Sequence, residues 1–139
     1  MVKIGFTGNR LGLSYLQASA LTQTLMKYPV GEFHHGNCIG SDDMAHQIVL
    51  KMFGKDVIYI HPPINTKLER QDSIVEFNVL PAESYLKRNH SIVDATRILI
   101  ATPGEFSEVL RSGTWATIRY ARQRSKQVII IFPDGSLGA

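Results

Sequence analysis

Four short stretches carry the residues best suited to chemistry: Thr7-Gly8-Asn9-Arg10, residues 35–43 with His35, Gly36, Gly40, Ser41 and Asp42, Ala101-Thr102-Pro103-Gly104, and Arg111-Ser112-Gly113-Thr114. Each sets glycine beside small hydroxyl, amide or charged side chains. Glycine lets the backbone approach a ligand, and a helix start offers unpaired N–H groups at the positive end of its dipole. A phosphate suits such a place. The stretch at 111–114 is the best single candidate, because a guanidinium, a hydroxyl and free amides arrive together just before a helix. Charge-assisted hydrogen bonds of this sort contribute about 1.5 to 3 kcal/mol each when shielded from water. The competing role is structural: Ser112 or Thr114 caps the helix and Gly113 makes a turn. No Gly-Lys-Ser/Thr follows either glycine loop and no full Gly-x-Gly-x-x-Gly is present, so ATP and NAD are not implied and no cofactor is expected.

Other polar residues each have two readings. Asp42 and Asp43 stand where a helix begins, so they cap it and complement its dipole, or Asp42 accepts hydrogen bonds from sugar hydroxyls. His34, His35, Cys38, His46 and His61 raise the question of a metal, but strand neighbours such as His34 and His35 point to opposite faces. No metal site is expected, and ordinary hydrogen-bonded histidines are the alternative. His35 and His61, both near strand ends, also suit contact with a base or sugar. Cys38 reads as a small packing residue. Arg88 and Asn89 touch the ligand, or else Arg88 is a solvated charge and Asn89, on the helix face shared with Leu86 and Val93, bonds a neighbouring backbone. Trp115 packs against the sheet or a second subunit.

These residues need a scaffold that gathers them. Apolar patterning predicts strands near 2–7, 32–35, 56–60, 97–101 and 127–132, helices near 14–27, 85–95 and 114–124, and another helix opened by Gly40-Ser41-Asp42-Asp43 that carries Met44, Ala45, Ile48, Val49 and Met52. A long polar connection with three prolines spans 61–83, and loops of that length often serve a site. Strands alternating with helices, and runs such as Val128-Ile129-Ile130-Ile131, predict one α/β domain over 1–139 with a doubly wound parallel sheet covered on both faces. Ligands of such sheets bind outside the carboxyl ends of the strands, where the four stretches fall.

Composition narrows the partners. The 139 residues are 44% hydrophobic and 19% charged, which excludes a disordered chain and predicts a packed core. One cysteine excludes an intrachain disulfide framework. No apolar run approaches the ~20 residues of a membrane span, and the first residues lack the apolar stretch of a signal peptide, so a cytoplasmic protein without membrane contact is the expectation. A net charge of +3 favours anionic partners without selecting DNA over a nucleotide.

The ordered set Phe6-Thr7-Gly8-Asn9-Arg10, His35-Gly36-x-x-x-Gly40-Ser41-Asp42-x-x-Ala45-His46, Arg88-Asn89-x-x-Ile92 and Arg111-Ser112-Gly113-Thr114-x-x-Thr117-x-x-x-Ala121 resembles the SLOG superfamily of Rossmann-like nucleotide-binding domains, over nearly the whole chain. Within it the chain is similar to the small YpsA-related proteins and, in outline, to DNA-processing protein A, which shares the Arg-Ser-Gly-Ser/Thr helix start. The resemblance implies a nucleotide or nucleotide-derived ligand, single-stranded DNA as an alternative partner, and a homo-oligomer. The LOG enzymes of this superfamily hydrolyse the N-glycosidic bond of nucleoside monophosphates with a Pro-Gly-Gly-x-Gly-Thr-x-x-Glu motif. Here Pro103-Gly104 is separated from Gly113-Thr114, and Thr117 stands where that motif has glutamate. Glu105, Glu108 or Asp42 is left to supply a catalytic carboxylate, so binding ranks above glycosidase activity.

Overall fold

The alternation read from the sequence is realised in a computed structural model that describes residues 1–139. Its strands are β1 (Val2–Gly8), β2 (Val30–His35), β3 (Ile58–Ile60), β4 (Asn78–Val79), β5 (Ile98–Thr102), β6 (Gln127–Ile131) and β7 (Leu137–Gly138), and its helices α1 (Tyr15–Leu25), α2 (Ser41–Phe53), α3 (Tyr85–Asp94) and α4 (Gly113–Gln123). They form one sheet of order β4-β3-β2-β1-β5-β6-β7. All pairings are parallel except that of β6 with β7. This is the doubly wound, Rossmann-like arrangement that the sequence predicts.

Strand β5 shows why both faces must be covered. Ile98 and Ile100 enter the core beneath α1 and α2, with Leu21, Leu25, Ala45 and Val49. Leu99 and Ala101 point the other way, into the core beneath α3 and α4, with Val93, Trp115 and Ile118. A strand apolar at every position has no face to offer water, and each large aliphatic side chain it buries contributes about 1.5 to 3 kcal/mol. Trp115 lies inside this core, only 4% exposed.

Helix α1 ties the strand ends together. Ser14 caps it and Gln17 returns a bond to the cap backbone. The amide of Gln17 then donates to the carbonyls of Pro103 (2.8 Å) and Ile131 (3.0 Å), at the ends of β5 and β6. Between β1 and β5 the connections leave for opposite faces, which opens a crevice at their carboxyl ends. Gly8 closes β1 there, and a Cβ on it would strike the Ser41 and Thr102 side chains.

The structure differs from the sequence reading at short elements. The strand expected over 56–60 begins only at Ile58, because Lys55–Val57 winds into a 3-10 turn after Gly54. The segment 61–83 is irregular, as expected, but returns to the sheet edge as β4, and the chain ends in the antiparallel β7. Two-residue strands are held by backbone bonds to a neighbour and carry no periodicity of their own. No helix is long and apolar enough to cross a membrane.

Candidate functional site

A cavity of about 580 Å³ lies over the carboxyl end of β1 and collects residues from four separate parts of the chain. Thr7, Gly8, Asn9 and Arg10 come from β1 and its loop, Gly36 from the β2–α2 connection and Asp42 from the first turn of α2, Arg88 and Asn89 from α3, and Arg111, Ser112, Gly113 and Thr114 from the start of α4. The Asn9 side chain shapes the first loop by accepting from the Leu11 (2.8 Å) and Gly12 (3.1 Å) amides. Its backbone carbonyl accepts from the Ser41 amide, which joins that loop to α2.

At one end of the cavity α4 begins. Ser112 is its cap, the structural role foreseen, and accepts from the Trp115 amide at 3.2 Å. The Gly113 and Thr114 amides have no partner in the protein. Arg111 is exposed and makes no hydrogen bond or ion pair, and Arg10 is likewise free. Two amides at the positive end of a helix and two guanidinium groups thus line one cavity without partners in the protein, an arrangement whose charge is complementary to an anion.

Elsewhere in the cavity stands Asp42, which does not cap its helix. The cap of α2 is Gly40, without a side-chain bond, and the Asp42 Oδ2 instead accepts from the Gly36 and Cys38 amides, both at 3.1 Å. Oδ1 makes no hydrogen bond within the protein and remains an acceptor in the cavity lining. Burial pushes the Asp42 carboxyl above its ordinary range, opposed by Arg88, the two amides and Arg70. Asp43 pairs with Arg70 at 2.7 Å, so neither aspartate supplies the cap the sequence suggested.

Arg88 is buried, which excludes the solvated-charge reading. Its guanidinium is committed to protein acceptors: Nη1 donates to the Gly36 and His61 carbonyls, Nε to Asn89 Oδ1 at 2.8 Å, and Nη2 to the Cys38 sulfur at 3.5 Å. Asn89 thus finds its partner in a side chain instead of backbone. Burial also pushes the Cys38 thiol up, which keeps it protonated.

The remaining expected residues lie outside the lining. Ser41 is fully buried beside Gly8, Gly40 sits against the Arg10 backbone, and Pro103 is held by Gln17. His35 and His61 are also enclosed, each in a histidine pair. The Asn37 amide donates to His35 Nδ1, so the proton is on Nε2, which donates to His46 Nδ1 at 2.9 Å. On the other face His61 Nε2 meets His34 Nδ1 at 2.7 Å, and His34 Nε2 reaches Glu32 at 2.8 Å. Burial lowers all four, His46 and His61 to about 4.

Of the carboxylates considered for catalysis, Glu105 lines the cavity and accepts from the Trp115 indole at 2.9 Å. Glu108 does not, and pairs with Arg119 at 2.6 Å. Sequence reasoning missed Leu68, Tyr85 and Leu11 in the lining. Tyr85 stands one helical turn before Arg88 and was legible from that spacing, whereas Leu68 lies in an aperiodic segment that gives no signal.

The chain matches no protein-family model and no curated protein sequence. Among solved structures it is similar to the molybdenum cofactor binding protein from the phototrophic bacterium Rippkaea orientalis, with a TM-score of 0.67 and 19% sequence identity over 94% of this chain and 76% of that one. At that identity the likeness is one of fold.

Proposed function

We propose that the chain binds a nucleotide or a nucleotide-derived phosphorylated molecule, with its phosphate against Arg111 and the Gly113 and Thr114 amides and its sugar hydroxyls on Asp42. One observation carries the reading: unpaired amides and guanidinium groups at the α4 start and a carboxylate with a free oxygen line the same cavity. A phosphate repels a carboxylate and a sugar hydroxyl donates to one, so the two ends select the two parts of a nucleotide. Leu11, Leu68 and Tyr85 in the same lining suit an apolar base. The SLOG resemblance, which implies a nucleotide or nucleotide-derived ligand, supports the reading.

A second reading, hydrolysis of an N-glycosidic bond, is favoured by Glu105, a carboxylate in this lining that is absent from the position the LOG motif uses. The two are separated by thermal denaturation of the purified protein with nucleoside monophosphates, cyclic nucleotides, ADP-ribose-type nucleotides, the molybdenum cofactor named for the structural neighbour, and a short DNA single strand. Each stabilising compound is then followed by chromatography. A ligand at one hundred times its Kd adds about 2.7 kcal/mol to stability. An intact nucleotide that stabilises supports binding, and a released base supports the hydrolase. Stabilisation by the single strand alone, lost as salt is raised, rejects both.

A further inference from the structure

The turn 36–38 that presents two amides to Asp42 is held by a residue outside the cavity. Arg70, in the irregular segment 61–83, has a side chain only 2% exposed, deeper than most guanidinium groups are found. Its Nη1 donates to Asn37 Oδ1 at 3.0 Å, its Nε to Asp43 at 2.7 Å and its Nη2 to Asp72 at 3.2 Å, while its backbone amide donates to the Asn37 carbonyl at 2.9 Å. The neighbouring Glu69 accepts from the Asn37 side chain at 2.9 Å and pairs across to Cys38. Asn37 itself has a left-handed backbone, φ 58°, a conformation that persists only when its surroundings fix it. Arg88 grips the turn from the opposite side, through the Gly36 carbonyl and the Cys38 sulfur.

We propose that Arg70 is a positioning residue of the ligand cavity: by holding Asn37 in its left-handed turn and Asp43 on α2, it aims the Gly36 and Cys38 amides at Asp42 and fixes that carboxylate as the acceptor for a ligand hydroxyl. The last clause rests on the nucleotide reading above; the fixing of Asp42 does not. A buried guanidinium with three polar partners costs desolvation, and fixing an acceptor in the cavity gives that cost a role beyond closing a loop. The charges facing Asp42 are Arg88 from α3 and Arg70 from the segment 61–83, with the Cys38 thiol and Glu69 beside the turn and Arg10, Glu105 and Arg111 in the cavity lining. Arg70 is among the groups that hold the Asp42 carboxyl down against its burial.

The test is the carboxyl carbon titration of Asp42 by NMR in the wild-type protein, Arg70→Met and Arg70→Lys, beside the affinity of each for adenosine 5′-monophosphate between pH 5 and 8. Arg70→Met moves the Asp42 titration to higher pH and weakens the nucleotide about tenfold, most at the acid end; Arg70→Lys, which keeps the charge but not the three-way fork of donors, leaves the titration raised, and a full return of the titration with lysine would overturn positioning in favour of charge alone. Asn37→Gly keeps the left-handed turn while removing both side-chain links, so it decides the matter if Arg70→Met does not fold. An Asp42 titration unchanged in the folded variants overturns the proposal. A wild-type protein indifferent to the nucleotide rejects the ligand reading for that probe, and the titration still decides the role of Arg70.

Discussion

Helices α2 and α4 both start at the carboxyl end of the sheet, with the same positive dipole end directed at the same cavity, and their chemistry is opposite. Helix α2 begins with a cap that has no side chain and carries Asp42 and Asp43 in its first turn. Its field is met by the chain's own carboxylates, one turned to the 36–38 amides and the other to Arg70. Helix α4 has no acidic residue in its first turn, uses Ser112 to satisfy the Trp115 amide, and leaves the Gly113 and Thr114 amides free close after Arg111. A helix start that is neutralised internally has its field spent within the protein, while one left open keeps its field directed at the cavity. Location alone therefore does not set the charge a helix start offers to a cavity; the residues of its first turn do.

The comparison can be broken first at its glycines. Gly40 has φ 83° and its missing Cβ faces the Arg10 backbone, so Gly40→Ala should cost about 3 kcal/mol or more of stability in urea unfolding. A stable Gly40→Ala protein would show that the α2 start is not pressed against the β1 loop. At the other helix, Arg111→Ala should weaken a phosphate-bearing ligand by about 1.5 to 3 kcal/mol while the unfolding midpoint stays put, because Arg111 is exposed and makes no hydrogen bond or ion pair. Equal affinity in calorimetry would remove Arg111 from the site.

Acid sharpens the contrast, since the buried histidine pairs include His46 on α2 and none lies on α4. His46 and His61 titrate near 6.5 in the unfolded chain and at about 4 in the folded one, so the unfolded chain takes up protons first. Stability is complete above pH 6.5 and falls as pH drops from 6.5 to about 4, by at most ~1.4 kcal/mol per pH unit for each histidine. Urea midpoints measured across that range should fall less in His46→Gln and His61→Gln, and an unchanged slope would mean the pairs are not buried neutral. The smallest effect is expected at Gly113, whose added Cβ meets open space. Gly113→Ala should leave stability within about 0.5 kcal/mol or raise it slightly, by the helical preference of alanine, as a thermal melt would register.

Much of the cavity was legible beforehand because its loops carry glycine and hydroxyl residues at the ends of strands whose apolar runs are unambiguous. Thr7 to Arg10 and Arg111 to Thr114 lie more than 100 residues apart and meet because β1 and β5 are neighbours in the sheet. The parts that were not legible are those fixed by long-range polar contacts. Nothing local tells that Arg88 spends its donors on Gly36, His61, Asn89 and Cys38, or that Arg70 is buried while Arg111 is free.

By itself the sequence determined the alternation of strand and helix, the two-sided burial of β5 and β6, and the loops that could face a ligand. Those follow from local periodicity and from the conformational freedom of glycine, which neighbours in the chain express directly. The tertiary structure decided which charges are consumed and which remain: the same guanidinium group is a clamp at 70 and 88 and unpaired at 111. That choice depends on which acceptors arrive from distant parts of the chain, and only the folded geometry brings them within hydrogen-bonding distance.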